Sequence, residues 1–555
     1  MISRSKVPVK VQKLSGFNKS HFHLLTGTTG TLIPILVDEV IGNTPIYLRL
    51  PLAASMPPLA ADTYMKTDVC VEAYFVPHRL CYGGFETFYT QRQEYAMKDT
   101  SVGPTVRDAA MPILQVSYGD DPNVWNFTRH RSLVDYLGWQ SSGYTGGNYI
   151  FQINPAPLVA YHLIWQHYYR APLVQKECFA RPMGVGSGLS LSMNDPYFVS
   201  LLPYVTLTDT NCVIPTCINS DPNTVASFKL ADGTSLFELR KRNFGYDYFT
   251  NAFPTPSLGS DVNIDTTGGS FTVGSLRAGT GLQTFKDINQ IAGTRFQDTL
   301  MARTGASIKD GVANRPVLLG AAKYNCYNRS MLVSAINNAS STTNPFADSA
   351  GAVQGNMYAS GNDVIIDNFV AKEPGYIMVL ASLVPTVTYS TGCERILTRY
   401  RTPGAQITDM ANHLLQGVGN QPIYQYELNG NIGFDDNNMP VFGYTDRFAD
   451  WCVMKDRISG LFRSGLALES FVSQRYFAAA SSPTINSSFL QIPTDYLDNI
   501  QVIANSAGQD YGFWLECAFD YKISQPLAKY SIPCLQDPAF EHGDTVSIHR
   551  GGFRF

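Results

Sequence analysis

Acids and imidazoles gather at one place in this 555-residue chain, Glu541, His542, Asp544 and His549, a set of types that can move protons. Lying close to a chain end, it reads as a hydrated tail before it reads as a site. Asp435-Asp436-Asn437-Asn438 offers oxygens to a calcium ion but lacks the glycine and distal glutamate of an EF-hand, so turn chemistry is the expectation. Gly184-Val185-Gly186-Ser187-Gly188 lacks the Lys-Ser/Thr of a phosphate loop and has no βαβ unit around it, which leaves a flexible turn. Neither Gly-x-Ser-x-Gly nor His-Glu-x-x-His occurs. Ten cysteines include no Cys-x-x-Cys, and the closest two, Cys212 and Cys217, have no histidine spaced as a zinc partner. No catalytic residue, cofactor or metal is therefore expected. A carboxylate pair of the glycosidase kind is defined by separation in space, so a β-sandwich lectin or glycosidase stays open as the alternative.

A different chemistry is written at the two ends. Arg4, Lys6, Lys10, Lys13 and Lys19 all precede the first acid, Asp38, with His21 and His23 among them. His549-Arg550-Gly551-Gly552-Phe553-Arg554-Phe555 alternates cations, glycines and aromatics. Cations meet phosphates, and aromatic faces stack unpaired bases at roughly 1–3 kcal/mol each without reading sequence. These nine residues, Arg4, Lys6, Lys10, Lys13, Lys19, Arg550, Phe553, Arg554 and Phe555, are the candidate nucleic-acid contacts. The bland reading is a solvated tail, or an arm clamping a neighbouring subunit. With a net charge of −4, any polyanion contact has to be local.

Elements that would carry such ends are mostly strands. From Phe513 to Ile523 apolar residues alternate with Trp514, Glu516, Ala518, Asp520 and Lys522, the period of a strand with one face on a core. Thr67 to Val76 is similar, and Leu32–Val37, Ile46–Leu50 and Tyr376–Tyr389 are β-rich. Prolines 34, 45, 51 and 385 predict that these strands lie at edges or start late. Between them Leu158–Arg170 repeats apolar residues at amphipathic helical spacing behind Pro157, Ser132–Gly138 is a second helix, and Phe285–Thr304 a third that ends at Gly305. Thr206–Asp232 and Asn338–Asp363, polar and unpatterned, read as long surface loops. One β-sandwich with swollen connections is the economical picture.

Composition narrows the class. Charged residues are 15% of the chain, against roughly 25% in an ordinary soluble domain, while 31 Tyr and 31 Phe bring aromatics to 12%. A subunit enclosed by copies of itself needs few solvating charges and many amphipathic Tyr; a large enzyme core would account for the same numbers. No apolar run stands behind the basic N-terminus as in a secretory signal, and the longest apolar stretch, Tyr376–Val387, is too short to cross a bilayer. A soluble chain in a reducing cytoplasm before assembly, without membrane insertion, is the expectation.

Specific blocks then go further. Phe17-Asn18-Lys19-Ser20-His21 runs into Leu32-Ile33-Pro34-Ile35-Leu36-Val37-Asp38-Glu39-Val40, and far downstream stand Phe442-Gly443-Tyr444, Arg447 and Ile458-Ser459-Gly460-Leu461-Phe462-Arg463. In the same order come Phe75-Val76-Pro77-His78-Arg79-Leu80, Leu163-Ile164-Trp165 with Tyr169-Arg170, Asp247-Tyr248-Phe249-Thr250, Gly293-Thr294-Arg295-Phe296 and Tyr530-Ser531-Ile532-Pro533. Nearly the whole chain thus resembles the major capsid protein of the Microviridae, in its gokushovirus-like branch. The resemblance implies an eight-stranded viral jelly roll forming a T=1 icosahedral shell around circular single-stranded DNA, with no reaction catalysed. It implies as partners further copies of the chain, an internal scaffolding protein, a DNA pilot protein and a bacterial host receptor. The expected division is a basic arm at 1–30 and one jelly-roll domain at 31–555, with large insertions within 85–370 and a tail at 536–555. Only about twenty residues separate Pro256 from Leu276, so the insertion that forms a three-fold protrusion in such relatives looks short, and a Trp-rich signature after Asp-Tyr-Phe-Thr is missing. Phe442–Arg463 is expected to be a packed block whose Arg447, Arg457 and Arg463 pair with carboxylates within or between subunits.

Overall fold

A computed structural model describes residues 14–90 (except 60 and 62), 94–95, 106–107, 111–118, 132–139, 149–179, 197–205, 213–214, 228–256, 272–292, 296–305, 314–332, 353–398, 420–432, 440–501 and 512–527. Ten strands make the frame: β1 (Ser15–Asn18), β2 (His21–Gly27), β3 (Ile33–Val40), β4 (Thr44–Ser55), β5 (Thr67–Pro77), β6 (Val317–Asn325), β7 (Tyr327–Leu332), β8 (Val353–Ala371), β9 (Gly375–Pro385) and β10 (Phe513–Gln525). One antiparallel sheet runs β1/β2, β10, β4, β8, β7, and the other β6, β5, β9, β3. β1 and β2 pair with successive parts of β10, and β6 passes into β7 as the chain crosses between sheets at Cys326. Taken as two once-broken strands, they leave eight, in the orders 1-8-3-6 and 5-4-7-2. That is the jelly roll, with its long connections left over as insertions.

Burial follows the two-residue period. In β10 the residues from Phe513 to Ile523 at odd positions are buried, and Trp514, Glu516 and Lys522 face out. β5 and β9 are instead buried on both faces. Val69, Val71, Ala73 and Phe75 of β5, with Ile377, Val379, Ala381 and Leu383 of β9, fill the space between the sheets. Tyr74 and Val76, with Tyr376, Met378 and Leu380, face a second core built by the insertions. This explains the unbroken apolar run that begins at Tyr376.

Two expectations about strands and helices are corrected. Pro45 stands at the start of β4, just before its ladder with β10 begins at Ile46, as a late start requires, but Pro51 lies within β4, which is interior, paired with β10 on one side and β8 on the other. The β10 ladder simply lacks pairs between Leu52 and Arg49, where Pro51 has no N–H to give. Pro34 does sit on an edge strand, and Pro385 ends β9. The helix α1 (Ala156–Ile164) forms as expected and continues as a π-helical turn over Trp165–Tyr169, but it is not amphipathic. Leu158 to Ile164 are all buried, because the helix lies between the second sheet and the insertion. Ser132 caps the short Leu133–Tyr136 helix through Asp135 N at 3.3 Å.

The third helix is a hairpin, α2 (Val273–Ala292) and α3 (Phe296–Thr304), starting well before Phe285 and ending, as expected, at Gly305 with φ +70°. Most of Thr206–Asp232 and Asn338–Asp363 lies outside the described residues. What is described contradicts surface loops: Phe228 and Leu230 are buried, and Val353–Asp363 belongs to β8.

Polar clamps fix the insertion to the sheet. Arg242 holds Glu72 of β5 in a two-pronged ion pair at 3.0 and 3.1 Å. Arg240 reaches Asp232 at 2.5 Å, His162 Nδ1 at 2.8 Å and Cys178 Sγ at 3.1 Å, with its guanidinium over the Trp165 ring. His162 Nε2 in turn donates to Leu236 O at 2.8 Å, so the ring is neutral, and burial followed by the Arg240 charge holds its pKa well below the usual histidine value. The unfolded chain takes up this proton near pH 6.5 and the folded chain does not, so stability is complete above that pH and falls as pH drops through it. Thermal melts between pH 7.5 and 5.5 should show a slope approaching about 1.4 kcal/mol per pH unit at the acid end, flattened in His162→Gln. An unchanged slope in the variant would assign the acid sensitivity elsewhere.

Candidate assembly surface

Three blocks singled out in the sequence meet beneath one surface. Asp247 Oδ1 accepts from Phe249 N at 2.9 Å and Thr250 N at 2.6 Å, while its Oδ2 accepts from Tyr389 Oη at 2.7 Å. The turn so fixed aims Phe249 at Tyr389 and Phe442, with ring centroids 4.9 and 6.1 Å away. Phe253 and Tyr444 exchange backbone hydrogen bonds of 2.6 and 2.8 Å, tying that turn to the strand Val441–Thr445. This strand pairs with Gln421–Tyr424, and the chain then turns through Tyr426–Asn429 to bury Glu427.

Glu427 is the electrostatic centre. Its side chain has 0% exposure, and Lys455 Nζ lies 2.9 Å from Oε2. The same ammonium sits about 5 Å from the Tyr248 and Phe249 rings, so its charge is met by a carboxylate and by two aromatic faces. Beside it, Arg395 donates to Pro422 O at 2.8 Å, and Asp450 accepts from Gln421 Nε2 at 2.7 Å. Burial is the largest influence on the Tyr248 hydroxyl and, with Glu427 close by, drives its pKa up. A carboxylate this deep is tolerable only with its cation in place.

Above this buried network the surface is apolar. Met454 is 97% exposed, Leu397 75%, Ile396 70%, Leu461 58% and Trp451 52%, with Val453 and Leu466 near half. Arg395–Asp450 and Lys455–Glu394 contacts of 3.8 and 3.7 Å set the 394–397 segment beside 450–455, and large exposed apolar side chains on neighbouring segments mark a contact surface. The expectation of a packed block therefore holds for Phe442–Thr445 and for Phe462, which packs against Tyr64 and Phe471, and fails at Trp451, Val453, Met454 and Leu461, whose side chains are exposed. Cys452 is likewise exposed here, whereas Cys70 and Cys517 are buried.

The three candidate interface arginines edge the same region. Among the described residues none lies within ion-pairing distance of a carboxylate. Arg447 lies 5.8 Å from the Phe448 ring, Arg457 is exposed, and Arg463 contributes to a cavity of about 260 Å³ with Ser390, Gly392, Asn429 and Tyr476. Of the nucleic-acid candidates Lys19 alone is described. Its ammonium is held by Asp38, with both carboxylate oxygens at 2.8 Å, and its N–H donates to Tyr521 O. Arg4, Lys6, Lys10, Lys13, Arg550, Phe553, Arg554 and Phe555 lie outside the described residues, as do Asp435–Asn438, Gly184–Gly188 and the Glu541–His549 cluster. Composition could not locate the apolar patch. Trp451, Met454, Ile458, Leu461 and Phe462 even recur at helical spacing, although the segment forms no long helix.

Comparison with known proteins places this geometry. The family model described as Capsid protein (F protein) matches residues 5–535. Capsid protein VP1 of Chlamydia phage 1 is 24% identical over 96% of this chain and 97% of its own length. VP1 of Bdellovibrio phage phiMH2K is 22% identical over the same shares, and VP1 of Spiroplasma virus 4 is 25% identical over 48% of this chain and 46% of its own. A jelly roll whose family blocks lock together beneath an exposed apolar face, matched along nearly its full length, belongs to the phage capsid protein (F protein) family.

Proposed function

We propose that this chain is the structural subunit of a T=1 icosahedral shell enclosing a circular single-stranded DNA genome, and that it catalyses no reaction. The observation that carries the reading is the apolar face over the Glu427–Lys455 pair. A monomer gains nothing from leaving Met454, Leu397 and Leu461 in water, whereas a shell buries them between copies. Arg447, Arg457 and Arg463 meet carboxylates of a neighbour in this reading, which fits the lack of such partners among the described residues of their own subunit. The scaffolding and pilot proteins act during assembly in the host cytoplasm, and a host receptor meets the finished particle. Arg4, Lys6, Lys10 and Lys13 at one end and Arg550, Phe553, Arg554 and Phe555 at the other contact packaged DNA. Lys19, already paired with Asp38, contributes least.

Assembly separates this from a lectin or glycosidase, which stays small. Expressed with its phage's own assembly factors, the wild-type chain should sediment as closed particles. Met454→Asp combined with Leu461→Asp should cut particle yield by at least about tenfold, with the subunit's thermal midpoint nearly unchanged, since both residues lie outside its core. Normal particle yield from this double variant would remove the surface from the contact.

Lys455→Ala should behave in the opposite way. Left with an unpaired buried Glu427, the subunit itself should lose about 3–5 kcal/mol in denaturant unfolding. Lys455→Ala with Glu427→Gln should recover part of that loss. A single variant as stable as wild type would mean that the pair is not the support described.

A further inference from the structure

We infer that the α2–α3 hairpin is an arm that folds fully only against a second copy of this chain, which makes its helix a product of assembly. This deepens the capsid reading and rests on it. Among the described residues α3 is the only element with more than marginal contact to α2. Yet α2 is 20 residues long and leaves Val273 65%, Leu276 42%, Leu282 49%, Phe285 47% and Ile288 36% exposed, with Met301 of α3 at 62%. One of these contacts is internal, Arg303 lying 3.6 Å over the Phe285 ring. Among the described residues nothing covers the rest of this apolar surface.

The sequence of α2 cannot sustain it alone. Gly279 and Gly281 are each poor in a helix interior, and Thr280 and Thr284 turn their hydroxyls back onto Leu276 O and Thr280 O at 2.9 Å, a bond that offers the backbone no extra support. Helices in water depend on tertiary packing of apolar side chains, and among the described residues those exposed on α2 lack it. Charge selects the occupant. The stretch 273–304 carries Arg277, Lys286, Arg295 and Arg303 against Asp287 and Asp298, a balance of +2 in a chain of net −4, so the remainder of the chain stands at −6. A cationic, apolar helix fits the acidic body of another subunit, whose low charge content leaves apolar surface to receive it.

The test is hydrogen exchange on the full-length chain, as free subunit below its assembly concentration and as particles, with and without DNA. Backbone amides of 273–292 should exchange rapidly in the free subunit and slow by at least about tenfold in empty and filled particles alike. Leu276→Asp with Leu282→Asp should leave the subunit's melt unchanged and abolish particles. Equal protection in free subunit and particle would overturn the inference, as would normal assembly of the double variant. Protection confined to filled particles would assign the arm to DNA instead. If the wild-type chain forms no assembly at any concentration, the capsid reading falls together with the inference; if it assembles and the variant does too, the inference alone falls.

Discussion

β10 lies between the first strands and β4, and every other feature hangs from that placement. Tyr521 N meets Ser20 Oγ at 3.2 Å across 501 residues, and Tyr521 Oη meets Asp38 at 2.8 Å. Closing a loop of that length costs little more than closing a shorter one, about 0.6 kcal/mol per doubling, so the sandwich tolerates insertions of hundreds of residues. What it cannot tolerate is a register slip, because one residue would turn Phe513, Leu515, Cys517 and Phe519 outward. The insertions gain a stable base from this frame and repay it by covering the second face of β5 and β9.

Where burial is one-sided, the sequence read well. β10 and the short Leu133–Tyr136 helix declare themselves through period and cap, and Gly305 marks a helix end through its left-handed backbone. Where burial is two-sided, local pattern loses its meaning. α1 looks amphipathic because Tyr161, Trp165 and Tyr168 recur at helical spacing, yet His162 is as buried as Tyr161 and is reconciled by Arg240 and Leu236 O. Pro51 misled for a related reason: a β-sheet interior can drop a few ladder bonds at one strand when both neighbours hold the rest.

The site was legible as family blocks and illegible as a surface. The Asp247–Phe249 turn and Phe442 are far apart in the chain, and only the fold shows that one carboxylate orders the turn that joins them. Glu427 and Lys455 carry no motif at all. Nor does sequence distinguish an apolar residue bound for its own core, such as Phe442, from one bound for a neighbour's, such as Met454. Both are hydrophobic, and the difference lies in what stands opposite. The low charge content was the one global sign that part of this surface is meant to be covered.

A particle map at side-chain resolution tests that claim most directly. The account predicts Met454, Leu397 and Leu461 in contact with apolar side chains of an adjacent copy, with Arg457 or Arg463 against one of its carboxylates. A closed particle in which these three side chains face open solvent would contradict it.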